Sequence, residues 1–132
     1  MSLPFETLTS QILEAAFEVS NELGAGFLES VYEAALLLAL RTKGLAVQRQ
    51  VPIKVHFRGE VVGHFFADLV VDDRVVLELK AVKGLMPEHN AQVLNYLKAT
   101  ERPVALLINF GTPKLEFRRF DNRFLENKLE QG

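Results

Sequence analysis

The chain has 132 residues, with 48% hydrophobic and 24% charged residues and a formal net charge of −2. This length and balance suit one folded domain with a hydrophobic core, and the slightly acidic total argues against a broad, non-specific grip on nucleic acid, which needs many basic contacts to phosphates. With no cysteine, no apolar run long enough to span a bilayer and no signal-peptide pattern at the start, disulfides, thiolate zinc sites and membrane insertion are all excluded as expectations, and a cytoplasmic protein is the default.

Residues 5–23 carry Leu8, Ile12, Ala16, Val19 and Leu23 at spacings of three and four, the stripe of an amphipathic helix. Gly24 is placed to end it in a left-handed conformation. A Gly24-Ala25-Gly26 link leads to a second predicted helix over 27–43, with Leu28, Val31, Ala35, Leu36 and Ala39 inward and Gly44 closing it. The period then changes. Val51, Ile53, Val55 and Phe57 alternate with polar residues as in a strand with one wet face. Arg58-Gly59-Glu60 reads as a turn, 61–71 as a second strand, Asp72-Asp73-Arg74 as another turn and 75–82 as a third strand. A helix over 88–100, a buried strand over 103–110 and an edge strand over 115–120 complete the pattern. One domain is thus expected across 1–132, with its core at about 5–120 and a polar tail over 121–132, as a short helix or loose segment. The order predicts an α/β fold, a mixed sheet with helices on both faces.

Charge sits inside the predicted strands. On 75–82, Val76, Glu78, Lys80 and Val82 share one face, and Val75, Leu77, Leu79 and Ala81 the other. A two-residue turn before this strand would set Asp68 opposite Leu77. A three-residue loop over 72–74 pairs 71 with 75 and therefore Asp68 with Glu78, on one face with Lys80. The turn lacks the Asn-Gly or Asp-Gly pair of two-residue hairpins, so the longer loop is expected. Burying such groups among Val and Leu is costly without a partner. Two carboxylates and a backbone carbonyl on adjacent strands form an all-oxygen nest suited to Mg²⁺ or Mn²⁺, and Lys80 beside them could place an attacking water or steady charge growing on a phosphate. The plain alternative is a Glu78–Lys80 ion pair on a solvated face.

Two further groupings flank this strand pair. Gly26-Phe-Leu-Glu29-Ser-Val-Tyr32 puts Glu29 and Tyr32 at i, i+3 near a helix start. With Gly26 as N-cap, Glu29 falls at N3, where Glu often reaches back to the cap amide; the functional version leans Glu29 toward the acids, with Tyr32 hydrogen-bonding nearby. Gln92 and Tyr96 lie one helical turn apart and could orient the site or satisfy each other. His64, in phase with Asp68, could contact substrate or be structural. His56 and His89 are too far apart in pattern for a zinc site. Arg41, Lys43, Arg49, Lys54 and Arg58 form either a basic rim or a set of solvated charges.

Taken together, Gly26-x-x-Glu29-x-x-Tyr32, Asp68, Glu78-Leu79-Lys80 and Gln92-x-x-x-Tyr96 resemble the GxxExxY proteins, a small prokaryotic branch of the PD-(D/E)XK nuclease superfamily. The likeness runs from about residue 8 to 120, with Ala67 where many members have Pro. It implies a restriction-endonuclease-like fold and a nuclease acting on DNA ahead of RNA. It also implies Mg²⁺ or Mn²⁺ held by Asp68, Glu78, the Leu79 carbonyl and Glu29, with Lys80 assisting hydrolysis and Gln92, Tyr96, Tyr32 and His64 around the site. The alternative is a nuclease-fold module, weak or inactive in catalysis, that serves binding or assembly. The apolar content leaves room for a homo-oligomer interface.

Overall fold

A computed structural model describes residues 3–125. Helices α1 (Glu6–Leu23) and α2 (Glu29–Thr42) precede strands β1 (Val47–Phe57), β2 (Glu60–Val71) and β3 (Val75–Lys80); α3 (Pro87–Ala99), β4 (Val104–Asn109) and β5 (Glu116–Asp121) follow. The strands form one sheet in the order β1-β2-β3-β4-β5. All neighbours are antiparallel except β3 and β4, which the α3 crossover makes parallel. The α/β fold read from the sequence is the observed one.

The sheet separates two apolar cores. On one side Ile12, Ala16, Tyr32, Leu36 and Leu40 from α1 and α2 pack on Leu69, Leu77, Leu79, Leu106 and Ile108. On the other, Val93 and Leu97 of α3 pack on Val70, Val76, Ala105 and Leu107. Strands β3 and β4 are buried on both faces, which is why their sequences are nearly continuous Val, Leu and Ile.

Helix α2 differs from its sequence reading in phase. Tyr32, Glu33, Leu36, Leu37 and Leu40 are buried, whereas Leu28 is 77% and Leu38 70% exposed and Val31 is also exposed. The run Ala34 to Leu40 is apolar all round, so periodicity alone could not choose its inner face. The helix also starts later than expected. Leu28 is the N-cap in extended conformation, without a side-chain cap bond, so Glu29 opens the helix instead of sitting at N3. Gly24 has φ 71° and ψ −179°, a positive φ without the left-handed helical conformation expected, and its amide donates to the Ser20 carbonyl.

The turn before β3 combines two geometries. Asp72 and Asp73 both have positive φ, as in primed hairpin turns, and the Arg74 amide donates to the Val71 carbonyl at 3.0 Å. Arg74 adds the third residue, leaving Val71 opposite Val75, the register the longer loop requires. Beyond β3 the chain is fixed by Asn109. Its Oδ1 accepts the Val82 and Gly111 amides, and its Nδ2 donates to the Val82 carbonyl and Glu116 Oε1, each at 3.0 Å. Gly111 lies so close to this segment that a Cβ there would stand 2.2 Å from the Val82 carbonyl oxygen. The end of β3 is therefore held immediately after Lys80.

Candidate active site

The site forms where β2 and β3 part. Their ladder runs through Val71↔Val75, Val70↔Val76 and Leu69↔Leu77, so one more step sets Asp68 across from Glu78. At that step the outer strands change face. Leu69 and Val71 pack toward α1 and α2, but Ala67 and Phe65 pack toward α3. In β1, Val47 packs toward α1 and α2 and Val51 and Ile53 toward α3. Between them Gln50 has φ 52°, and the ladder passes from Arg49↔Leu69 to Val51↔Ala67 without pairing Gln50 to Asp68. The register is the same on both sides of this step, so no residue is inserted: alternation breaks in both strands together, while the register shift of this ladder lies further out, between Val55 and His56.

Asp68 consequently sits between the strands instead of on one face. Its Oδ2 accepts the Leu79 amide at 2.8 Å, taking the place of a β2 carbonyl. The Lys80 carbonyl accepts the Phe110 amide on the β4 side, so alternation turns the Leu79 carbonyl toward Asp68. Burial raises the Asp68 carboxyl above its usual range, against the stabilising Leu79 bond, and the Glu33 charge raises it further.

Glu78 lies on the α3 side and is only 4% exposed. Its Oε1 has no hydrogen-bond partner among the described residues. Burial above all, and then the Asp68 charge, push its carboxyl up to about 8, while Lys80 and a hydrogen bond from the Asp68 backbone pull the other way. Lys80 Nζ donates to Gln92 Oε1 at 3.1 Å, and Gln92 Nε2 donates to the Tyr96 hydroxyl at 2.7 Å. The Tyr96 ring stacks on Phe65 with centroids 3.8 Å apart. A chain of polar contacts thus aims the ammonium from α3, and a Glu78–Lys80 ion pair is not the arrangement found.

On the α2 side a cavity of about 200 Å³ is lined by Glu29, Ser30, Glu33, Gln50, Asp68 and Leu79. The protein around Glu29 raises its carboxyl, the Asp68 charge adds to this, and Lys80 opposes it. Glu33 accepts from Arg49 Nη2 at 3.2 Å and Gln50 Nε2 at 2.6 Å. Three carboxylates thus gather around Asp68 from two helix-facing sides. Among the described residues no three Asp, Glu or His side chains already stand in metal-ligand geometry. The chemistry of the donors nevertheless fits a hard cation: all are oxygen, and the buried Glu78 oxygen is unpartnered.

A model of the PD-(D/E)XK nuclease superfamily matches residues 6–120. The chain belongs to that superfamily. Members of that superfamily are nucleases, and they generally use divalent metals. The crystal structure of SSO0001 has a similar fold, with a TM-score of 0.55 at 15% identity over 96% of this chain; the chain spans 64% of that protein's length. An alkaline exonuclease (LHK-Exo) from Laribacter hongkongensis aligns at a TM-score of 0.49 and 13% identity, over 93% of this chain and 87% of its own. No curated protein sequence matches the chain.

Within this PD-(D/E)XK chain, Asp68, Glu78, Leu79, Lys80, Gln92, Tyr96 and Glu29 converge. Tyr32 does not join them. It is fully buried, stacks on Phe110, donates to the Gly24 carbonyl at 2.5 Å and accepts the Phe27 amide at 3.2 Å. It fixes the α1–α2 loop ahead of Glu29. His64 lies on the exposed β1–β2 arm, edge-on to Phe66 and roughly 13 Å along the strand from Asp68 at ordinary strand rise. The basic rim is also dispersed: Lys43 pairs with Glu14 and Glu18, and Arg58 sits over Phe57. Arg49 reaches the site through Glu33. Glu33 and Gln50 were not anticipated. A Glu four residues after Glu29 was visible as a same-face neighbour, but nothing local to the sequence marks the left-handed conformation of Gln50.

Proposed function

We propose that the chain is a divalent-metal-dependent nuclease of the GxxExxY branch, hydrolysing phosphodiester bonds of DNA ahead of RNA. The observation that carries this is the buried, unpartnered Glu78 oxygen beside Asp68, at the end of the β2–β3 ladder. A buried carboxylate oxygen left without a partner is costly, and an adjacent cation offsets the cost.

Asp68, Glu78 and the Leu79 carbonyl would hold Mg²⁺ or Mn²⁺, with Glu29 contributing from α2. When bound, the ion polarises a phosphoryl oxygen and lowers the pKa of a water at the site. Lys80, presented by Gln92 and Tyr96, places fixed positive charge where negative charge grows on the phosphate. Asp68 keeps the Leu79 backbone in place while serving as a ligand. Burial in this wedge keeps the electrostatics strong by limiting bulk water.

The test is incubation of purified protein with Mg²⁺ or Mn²⁺ and plasmid, linear duplex, single-stranded DNA or RNA. Metal-dependent cleavage that disappears in Asp68→Ala is expected. No cleavage of any of them, with Asp68→Ala indistinguishable from the parent, overturns the reading.

A second reading is favoured by the exposed apolar residues Phe27, Leu28, Val31 and Leu38: a nuclease-fold module that works in an assembly, including a homo-oligomer. Calorimetry with Mn²⁺ separates the two, because an assembly module has no need of a cation at Asp68 and Glu78. A cytoplasmic location accords with both readings. No helix among the described residues is long and apolar enough to cross a membrane.

A further inference from the structure

A groove of about 1230 Å³ runs between the β1–β2 arm and the C-terminal half of α3. It is distinct from the small acidic cavity beside α2 and meets the candidate site through one residue. Tyr96 lines the groove, and its hydroxyl ends the chain of contacts that begins at Lys80. We propose that this groove is the track for a single nucleic-acid strand leading away from the point of cleavage. The proposal rests on the nuclease reading for the identity of its ligand and adds where that ligand lies.

Charge gives the first argument. Lys54 on β1, Arg74 at the β2–β3 turn, Lys98 on α3 and Arg102 beyond it line the groove from four separate elements. Against them stand Asp73 and Glu101. Four cations against two acids leave a local surplus of two positive charges, on a chain whose total is −2. Arg102 is held by Asp73 at 2.9 Å, whereas Lys54, Arg74 and Lys98 are exposed and make no ion pair among the described residues. Lys98 instead lies over the Phe124 ring. Cations placed on opposite walls and left without acidic partners suit a polyanion that passes between them.

Aromatic lining gives the second. Phe65 and Tyr96 stack at the groove wall and are only partly buried. An aromatic platform beside a basic path is the usual means of holding an unpaired strand, whose bases offer a π face whatever the sequence. A duplex keeps its bases stacked on each other and gains nothing from such a wall.

Binding is measured by fluorescence anisotropy with a fluorescein-labelled twenty-nucleotide oligo-dT in EDTA, so that no cleavage intervenes. The doubly substituted Lys54→Glu/Lys98→Glu protein is expected to bind at least tenfold more weakly, with a log–log salt slope smaller by about 1.4 for two lost contacts at roughly 0.7 each. Arg74→Glu, on a different element, is expected to act in the same direction. Circular dichroism melts verify that each variant is folded. With Mn²⁺ present, hydrolysis of the small diester bis(p-nitrophenyl) phosphate should be unchanged by the groove substitutions and lost in Asp68→Ala. Parental affinity in the folded groove variants overturns the proposal, as does tighter binding of a duplex of equal length. If the parent binds the oligonucleotide but hydrolyses nothing, the catalytic reading fails while the anisotropy series still decides the groove.

Discussion

Asp68 accepts the Leu79 amide at 2.8 Å across the point where β2 and β3 stop pairing. One side chain thereby completes the hydrogen bonding of a strand and faces the acids of the site. These two tasks can be separated. Asp68→Asn keeps an oxygen for the Leu79 amide, whereas Asp68→Ala leaves that amide without a partner, at about 1–3 kcal/mol. Urea denaturation should show the Asn variant within about 1 kcal/mol of the parent and the Ala variant clearly weaker. Both should lose at least about 100-fold in metal-dependent cleavage, since each removes the charge that would hold the ion.

Glu78 predicts an unusual pH dependence in metal-free protein. Its folded pKa of about 8 lies above the ordinary glutamate value of 4.5. Between these values the unfolded chain has released the proton that the folded chain still holds, so this group's contribution to stability falls as pH rises through the window. Glu78→Gln removes the effect. Melts in EDTA should show the variant more stable than the parent by roughly 2–4 kcal/mol at pH 8, with little difference at pH 5. A variant less stable at both pH values would contradict this account of the buried carboxyl. Added Mn²⁺ should stabilise the parent at pH 8, by about 2.7 kcal/mol at a hundredfold excess over Kd, and leave Glu78→Gln nearly unmoved.

Tyr96 offers a test of how Lys80 is aimed. Tyr96→Phe keeps the stack on Phe65 and removes the hydroxyl that accepts from Gln92. Stability should change by no more than about 1.5 kcal/mol, the usual worth of one hydrogen bond. The turnover number should fall several-fold with little change in KM. Gln92→Ala, which removes the contact to Lys80 itself, should lower turnover further. Equal turnover in all three proteins would mean that the contact chain has no part in positioning the ammonium.

Gly111 should tolerate no side chain. A Cβ there meets the Val82 carbonyl oxygen at 2.2 Å and its amide nitrogen at 2.3 Å, backbone atoms that cannot move aside cheaply. Gly111→Ala is expected to destabilise by more than about 3 kcal/mol, at the far end of single-substitution effects. Gly84→Ala, where nothing lies within 4 Å, is expected to be near neutral. Thermal melts of the two variants make the comparison.

The main layers and the β2–β3 register from Val71↔Val75 to Leu69↔Leu77 were legible because they depend on local signals: helix period, strand composition and the count of residues in one turn. The inner face of α2 was not, because Ala34 through Leu40 offers apolar residues in every direction. Tyr32 and Glu29 were correctly grouped as near neighbours on α2, but only packing shows that the phenol turns back to the Gly24–Phe27 loop. The place of Asp68 between strands depends on a left-handed Gln50 on the next strand. A non-glycine residue in that conformation is uncommon, and alternation read along one strand has no means of signalling it. The Asn109 hub joins segments whose proximity is set by the parallel pairing of β3 with β4.

The left-handed Gln50, unpaired opposite Asp68, also acts as a half-turn in the sheet. Up to Arg49 and Leu69 the odd-numbered side chains of the hairpin look toward one helix layer; past Gln50 they look toward the other. Were both strands ironed flat by restoring regular alternation, Ile53 and Phe65 would swing away from α3, and the wall on which Tyr96 stacks would migrate to the opposite side of the molecule. The same irregularity that wedges an acid between two strands thus decides which flank of the protein carries the basic channel.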